Sequence, residues 1–344
     1  MLANLQPIRV PCRLSRATGW FAALPTAQNP QRNLQCSAKH RLLACATAAC
    51  GLLLSLLSFQ AYATADTAAS GEAGLQQTYE SLRAFLRDSP FGKPLTVRSS
   101  QRGNELQGDV YAVIDQPFAT VEDSLRPAAH WCEILMLHLN TKGCAVRTGG
   151  QTGSGAADSP AGGTSIEVAV GSKHEEPVDH ASAIALGYRV AAASPVFLDI
   201  RMRAKDGPMG THDYQLGIQA TPVEGGHTFI HLHYAYGFGM AASLAMKGYL
   251  ATVGRDKVGF THAGTETDDP VGGVRGVVER NAMRYYLAID AYLDSLSLPP
   301  DRQRDARTAA WFDATARYPQ LHEIDRDEYL TMKRHELARL PRTP

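Results

Sequence analysis

No aspartate or glutamate occurs before Asp66, although the whole chain holds 34 acidic residues against 34 lysines and arginines. The same opening stretch carries six cations, Arg9, Arg13, Arg16, Arg32, Lys39 and Arg41. A segment with cations and no anions reads as an unusually long leader, or as a start codon placed too far upstream, and is left out of the fold. Without it, 28 basic residues face 34 acidic ones, a net charge of about −6. That balance argues against nucleic acid and anionic lipid surfaces as electrostatic partners. Catalytic signatures are missing as well: no Gly-x-Ser-x-Gly, Walker, dinucleotide or His-Glu-x-x-His pattern occurs, and no internal repeat is visible. Only Cys132 and Cys144 remain of six cysteines once the leader is removed. No histidine or further cysteine stands beside them at metal-ligand spacing, so neither zinc nor any other metal or cofactor is expected. In an oxidising compartment the two form a candidate disulfide closing a loop of about a dozen residues, worth roughly 3 kcal/mol. Two buried thiols are the alternative.

What is present begins with Lys39, His40 and Arg41, an apolar run from Leu42 to Phe59, and then Ala61-Tyr62-Ala63-Thr64-Ala65. Charge, apolar stretch and small-residue cleavage site follow one another as in a secretory signal. The alternative is a retained anchor, because eighteen residues without a charge just suffice to span a bilayer as a helix. The expectation is a periplasmic protein whose working form starts near Asp66, with residues 1–65 removed. About 280 residues remain, enough for one large domain with appendages.

Along those residues the pattern runs helix, strands, helices. Leu75, Tyr79, Leu82, Phe85 and Leu86 recur at helical spacing and stop before Pro90. The period then becomes two. Gln107 to Ile114, Ser165 to Gly171, Val196 to Ala204, Asp213 to Gln219 and His227 to Tyr236 read as strands of an antiparallel sheet with one solvated face. Gly149 to Gly163 and Gly264 to Gly273 have no period; the first reads as a flap or as surface slack. A helix of about twenty residues follows, with Val278, Ala282, Tyr285, Ile289, Tyr292 and Leu296 on its apolar side and Glu279, Arg280, Arg284, Asp290 and Asp294 on its polar one. After Pro299-Pro300 a charged tail shows two more helical stretches, around Trp311-Phe312 and from Ile324 to Leu337. It reads as a small cap or as an extension that docks a membrane-associated partner.

The strand ending at Asp115-Gln116-Pro117-Phe118-Ala119-Thr120-Val121, a helix running on to Trp131, the antiparallel strands and the long closing helix together resemble the START-like helix-grip superfamily, the lipid-transfer and polyketide-cyclase relatives. Pro117, Phe118, Val121, Leu125 and Trp131 fill the places where a strand of that superfamily gives way to a helix. The resemblance spans Leu95 to Leu298. It departs in the tail after Pro300 and in Gly237 to Ala251, which reads as an inserted helix. It implies an α+β fold, a curved antiparallel sheet around a long C-terminal helix with an extra helical tail. The division is then leader 1–65, domain 66–298 and extension 299–344.

The resemblance also implies a cavity between sheet and helix that holds an apolar small molecule or lipid, a sterol or similar guest. Alternation turns Ile200, Met202, His212, Tyr214 and Leu216 inward, together with Ile230, Leu232, Tyr234 and Tyr236; Tyr285 and Ile289 join them from the helix. The same residues could instead simply pack on one another. The functional expectation is a protein that binds or shuttles an apolar ligand. The alternative is a cyclase- or hydrolase-like enzyme using His212, Tyr214 or Tyr234 in that cavity, although no catalytic constellation stands out. His227, His231 and His233 share one face of a strand. In the register above that face is the hydrated outer one; in the opposite register they would line the cavity as acid and base. His-x-His on a strand can also chelate a metal, but no further ligand is evident.

Overall fold

A computed structural model describes residues 71–149, 163–252, 254–255, 257–262 and 269–340. The leader with its cleavage site, the interior of the loop after Gly149 and residues 263–268 of the second period-free stretch lie outside the described residues. Among the described residues no helix is long and apolar enough to cross a membrane.

Helix α1 (residues 71–87) precedes the hairpin β1 (Leu95–Arg102) and β2 (Glu105–Ile114). Gly103, at φ +58, permits the two-residue turn between these strands. Two short helices follow, α2 (Phe118–Leu125) and α3 (Ala128–Leu135), where a single helix was expected. Pro127 separates them, because its ring fixes φ and offers no N–H to continue the ladder. The strands β3 (Thr141–Thr148), β4 (Thr164–Val170), β5 (Ser182–Ser194), β6 (Phe197–Asp206), β7 (Thr211–Val223) and β8 (His227–Phe238) complete one eight-stranded sheet. Its order is β1-β2-β8-β7-β6-β5-β4-β3, antiparallel throughout. Helices α4 (Met240–Ala251), α5 (Gly273–Ser295), α6 (Pro300–Ala316) and α7 (Arg326–Leu337) end the chain.

The fold is therefore α+β, a curved sheet with the long α5 against one face, in the helix-grip arrangement. Cross-strand rows such as Ile200–Ile218–Leu232–Val110 and Met202–Leu216–Tyr234–Gly108 give the inner face its apolar lining. Gly108 lets α5 sit directly on β2: a Cβ there would lie 3.1 Å from the Val278 carbonyl and 3.2 Å from the Ala282 Cβ. On the opposite face α1 lays Leu75, Leu82 and Leu86 over Phe197 and Phe229.

Most of the polar side of α5 does not face water: of its five expected residues Asp294 is the exposed one. Glu279, Arg280 and Arg284 are all buried, because residues 257–262 and the tail close over them. Glu279 accepts hydrogen bonds from the backbone N–H groups of Phe260 (2.5 Å) and Thr261 (3.0 Å). Arg280 donates to the carbonyls of Lys257 (2.8 Å) and Val258 (3.1 Å), and Arg284 to that of Leu321 (3.2 Å).

The tail, too, is part of this packing. Trp311, Phe312, Tyr329 and Met332 belong to the main apolar core, and all described residues fall in one compact unit. From α7, Lys333 and Glu336 join Lys142 of β3 in a fully buried triad, with Glu336 3.1 Å from Lys142 and 2.7 Å from Lys333. Each lysine also donates to two carbonyls, Leu139 and His174 for Lys142, His138 and Thr141 for Lys333. The junction at residues 298–299 is thus a bend between α5 and α6, and the residues beyond it complete the core.

Candidate functional site

The inner face brings four aromatic rings together where β7, β8 and α5 meet. Tyr214 stacks on Tyr236 at 5.5 Å, and Tyr234 tilts against Tyr236 (5.6 Å) and Tyr285 (5.1 Å). His138, in the turn after α3, stacks on Tyr285 at 5.0 Å. Beside this cluster lies a hollow of about 40 Å³ lined by Leu135, Val168, Ile184 and Leu186 as well as Tyr214, Leu216, Tyr234 and Tyr285. It has room for a few water molecules at most. Among the described residues the hollow beside this cluster is therefore far smaller than the lipid-sized gap expected between sheet and helix.

The eleven expected lining residues divide accordingly. Tyr214, Leu216, Tyr234 and Tyr285 border the hollow. Ile200, Met202, Ile230, Leu232, Tyr236 and Ile289 point to the same side but are core residues, buried among their neighbours. His212 departs from the expectation. It is the second residue of β7, ahead of a register shift between His212 and Gln215 with Asp213 at φ +52; there it is part-exposed, lies over Gly237 and pairs with Asp213 at 2.8 Å. That irregularity has no signature in an alternating pattern.

Burial raises the pKa of Tyr214, Tyr234, Tyr236 and Tyr285. Burial, together with the charges of Arg284 and Lys333, lowers that of His138. At neutral pH the tyrosines are thus hydrogen-bonding phenols, unsuited to act as phenolate bases. Tyr214 donates to Thr211 Oγ1 at 2.8 Å, whereas the hydroxyls of Tyr234 and Tyr285 have no hydrogen-bond partner among the described residues.

Cys132 of α3 and Cys144 of β3 are joined as a disulfide beside this corner of the sheet. A much larger recess, about 710 Å³, lies elsewhere, between α1 and the C-terminal end of α5. Arg83, Arg87, Lys93, Asp290 and Asp294 surround it, so it is a wet cleft.

On the outer face His231 and His233 lie as the first of the two registers has them. His231 Nε2 and His233 Nδ1 stand 2.8 Å and 2.9 Å from the same oxygen of Asp109, the cross-strand partner of His233 on β2. Burial alone would raise the Asp109 carboxyl, but hydrogen bonds from His231, His233 and Gln107 hold it well below the usual carboxylate range. His227 stands apart from this trio, 3.1 Å from Asp115. Asp109 was missed in the sequence because the link between β2 and β8 spans more than a hundred residues.

No protein-family model and no curated protein matches this chain. Among solved structures it is similar to human StAR-related lipid transfer protein 5, at 10% identity over 53% of this chain and 90% of that one, with a TM-score of 0.26. CalU16 from Micromonospora echinospora is 10% identical over 64% of this chain and 96% of its own, with a TM-score of 0.25. The lipid transfer and protein localization domain of human StarD13 is 11% identical over 49% and 88%, with a TM-score of 0.23. The helix-grip assignment rests on this chain's own strand order and on the seat of α5.

Proposed function

We propose that this chain is an exported periplasmic protein that binds an apolar ligand between its sheet and α5, and that the form described here is its closed one. The observation that carries the reading is the pair of unpartnered hydroxyls of Tyr234 and Tyr285 on a mostly apolar hollow, to which Thr141 and Gln215 add two polar side chains. An apolar wall with a few convergent polar groups is the usual make-up of a small-molecule site. Loading requires the hollow to widen roughly tenfold to reach the few hundred Å³ of such sites. Helix α4 and the turn before β7 are the elements placed to yield. Of α4 only Ala242 is buried, while Met240, Leu244 and the turn's Met209 are exposed. Elements with few buried apolar contacts open at the lowest cost. The secretory pattern before Asp66 and the Cys132–Cys144 disulfide support an oxidising compartment.

The test is native mass spectrometry of the chain recovered from the periplasmic fraction, with its N-terminus sequenced. The expected result is a chain starting at Asp66 that retains an apolar molecule. Leu186→Phe, which fills the hollow, should abolish retention while the fold persists. Tyr285→Phe should weaken rebinding roughly fivefold, one neutral hydrogen bond's worth. A chain that carries nothing and takes up no apolar probe, or one whose uptake Leu186→Phe leaves unchanged, removes the proposal.

A further inference from the structure

The outer face carries a second site, chemically unlike the hollow and on the opposite side of the sheet. Asp109, His231 and His233 present one carboxylate oxygen and two imidazole nitrogens that all lie within 4.8 Å of one another. The three come from adjacent antiparallel strands, β2 and β8, so backbone ladders on both sides fix their separation. Both imidazole nitrogens aim at one point, the Asp109 Oδ1 atom. With the proton moved to the other ring nitrogen, the same two atoms direct lone pairs there.

The supporting contacts hold these donors in place. Gln107 Nε2 donates to the second oxygen of Asp109 at 2.8 Å, which orients the carboxylate. The ring of His231 stacks on Tyr111 at 4.4 Å with only 9° between planes, and Arg98 lies over the far ring at 5.6 Å. Such outer contacts are what metal ligands need in order to keep their aim. Asp109 is buried, whereas His231 and His233 are part-exposed, so a cation can reach the trio from solvent.

One flank is open. The residue paired with His233 on β7 is Gly217, which offers no side chain of its own toward the hollow beside the trio. That hollow, about 170 Å³, is bordered by Asp199, Arg201 and Gln219 together with His231 and His233. A three-ligand set with a free side is the pattern of metal sites that keep a position for water or substrate, as against closed four-ligand structural sites. Two imidazoles and one carboxylate select a divalent first-row ion over calcium or magnesium.

We infer that Asp109, His231 and His233 form a binding site for a divalent transition metal ion of the zinc class, open to solvent on the side of Gly217. The site is independent of the apolar hollow and of what that hollow binds.

The experiment titrates the untagged full chain, stripped by chelator, with Co²⁺ and Zn²⁺ alone. The expected result is about one equivalent bound at micromolar or tighter, with the visible Co²⁺ bands of a four- or five-coordinate site. His231→Ala and His233→Ala should each weaken binding by roughly a hundredfold or more, and Gln107→Ala by about tenfold, the range of an orienting partner. His174→Ala, which removes a surface imidazole paired with Glu328, should leave binding unchanged. Should the alanine variants fail to fold, histidine side-chain NMR of the unaltered chain decides the matter. Zn²⁺ must then shift His231 Nε2 and His233 Nδ1 and spare His174. Binding weaker than about a millimolar, binding that survives His231→Ala and His233→Ala, or Zn²⁺ shifts confined to other histidines overturns the inference.

Discussion

Glu323 is approached by cations from three directions. Its carboxylate lies 2.7 Å from Lys173, 2.5 Å from Lys257 and 3.0 Å from Arg284, and its side chain is almost wholly buried. Burial by itself would raise its pKa, yet the hydrogen bonds from Lys173 and Lys257, with the charge of Arg284, bring it down to about 2. Because the folded value lies below the ordinary 4.5, the unfolded chain takes up the proton first as pH falls. The stabilisation is complete above about 4.5 and disappears between there and about 2. Across that window the unaltered chain should lose on the order of 2–3 kcal/mol more than Glu323→Gln, with solvent screening trimming the upper end. Urea unfolding of both chains at a series of pH values measures the difference. Equal acid slopes would show that Glu323 is no part of the acid response.

Among the elements, α5 sets the geometry of everything else, and its closeness to β2 depends on Gly108. Gly108→Val has to move either the Val278 turn of the helix or the strand, and overpacking of that kind costs roughly 1–3 kcal/mol. Gly74→Ala is the matching control. Nothing lies within 4 Å of its added methyl in α1, so it should stabilise by roughly 0.5–1 kcal/mol. Thermal unfolding of the two variants should therefore move in opposite directions, and a neutral Gly108→Val would mean that the helix has slack above the sheet. The strands and helices were not equally visible beforehand. β2, β4, β6, β7 and β8 alternate cleanly and could be read in the sequence, as could α1 and α5. β5 was passed over, although Ile184, Leu186, Tyr188 and Val190 alternate along it, because five alanines among its thirteen residues blur the contrast between its faces. The charges on α5 were legible as a polar stripe, but nothing local indicates that carbonyls and the tail would bury Glu279, Arg280 and Arg284. For the hollow, alternation showed which side chains point inward; how densely they fill the interior is a tertiary property, and among the described residues the hollow at the tyrosines is much smaller than the cavity the resemblance implies.

At the scale of the molecule the tail decides stability. A chain ending at Pro299 would lose Trp311, Tyr329 and Met332 from the core and uncover the apolar surfaces they cover. It would also leave Lys142 without Glu336 and Arg284 without Glu323, two buried or nearly buried cations deprived of their counter-charges. Breaking a buried ion pair from one side costs roughly 3–5 kcal/mol, and total stabilities of domains are only about 5–15 kcal/mol. The truncated chain is therefore expected not to fold, with no cooperative thermal transition and rapid proteolysis. Glu336→Gln alone should fold with lowered stability, because it removes one charge and keeps the packing of α7. A docking arm would behave in the opposite way: its deletion would spare the transition and the protease resistance and change only where the protein is found. Because both outcomes are read on the same truncated chain, circular dichroism on heating and a protease time course suffice to distinguish a structural tail from a docking one.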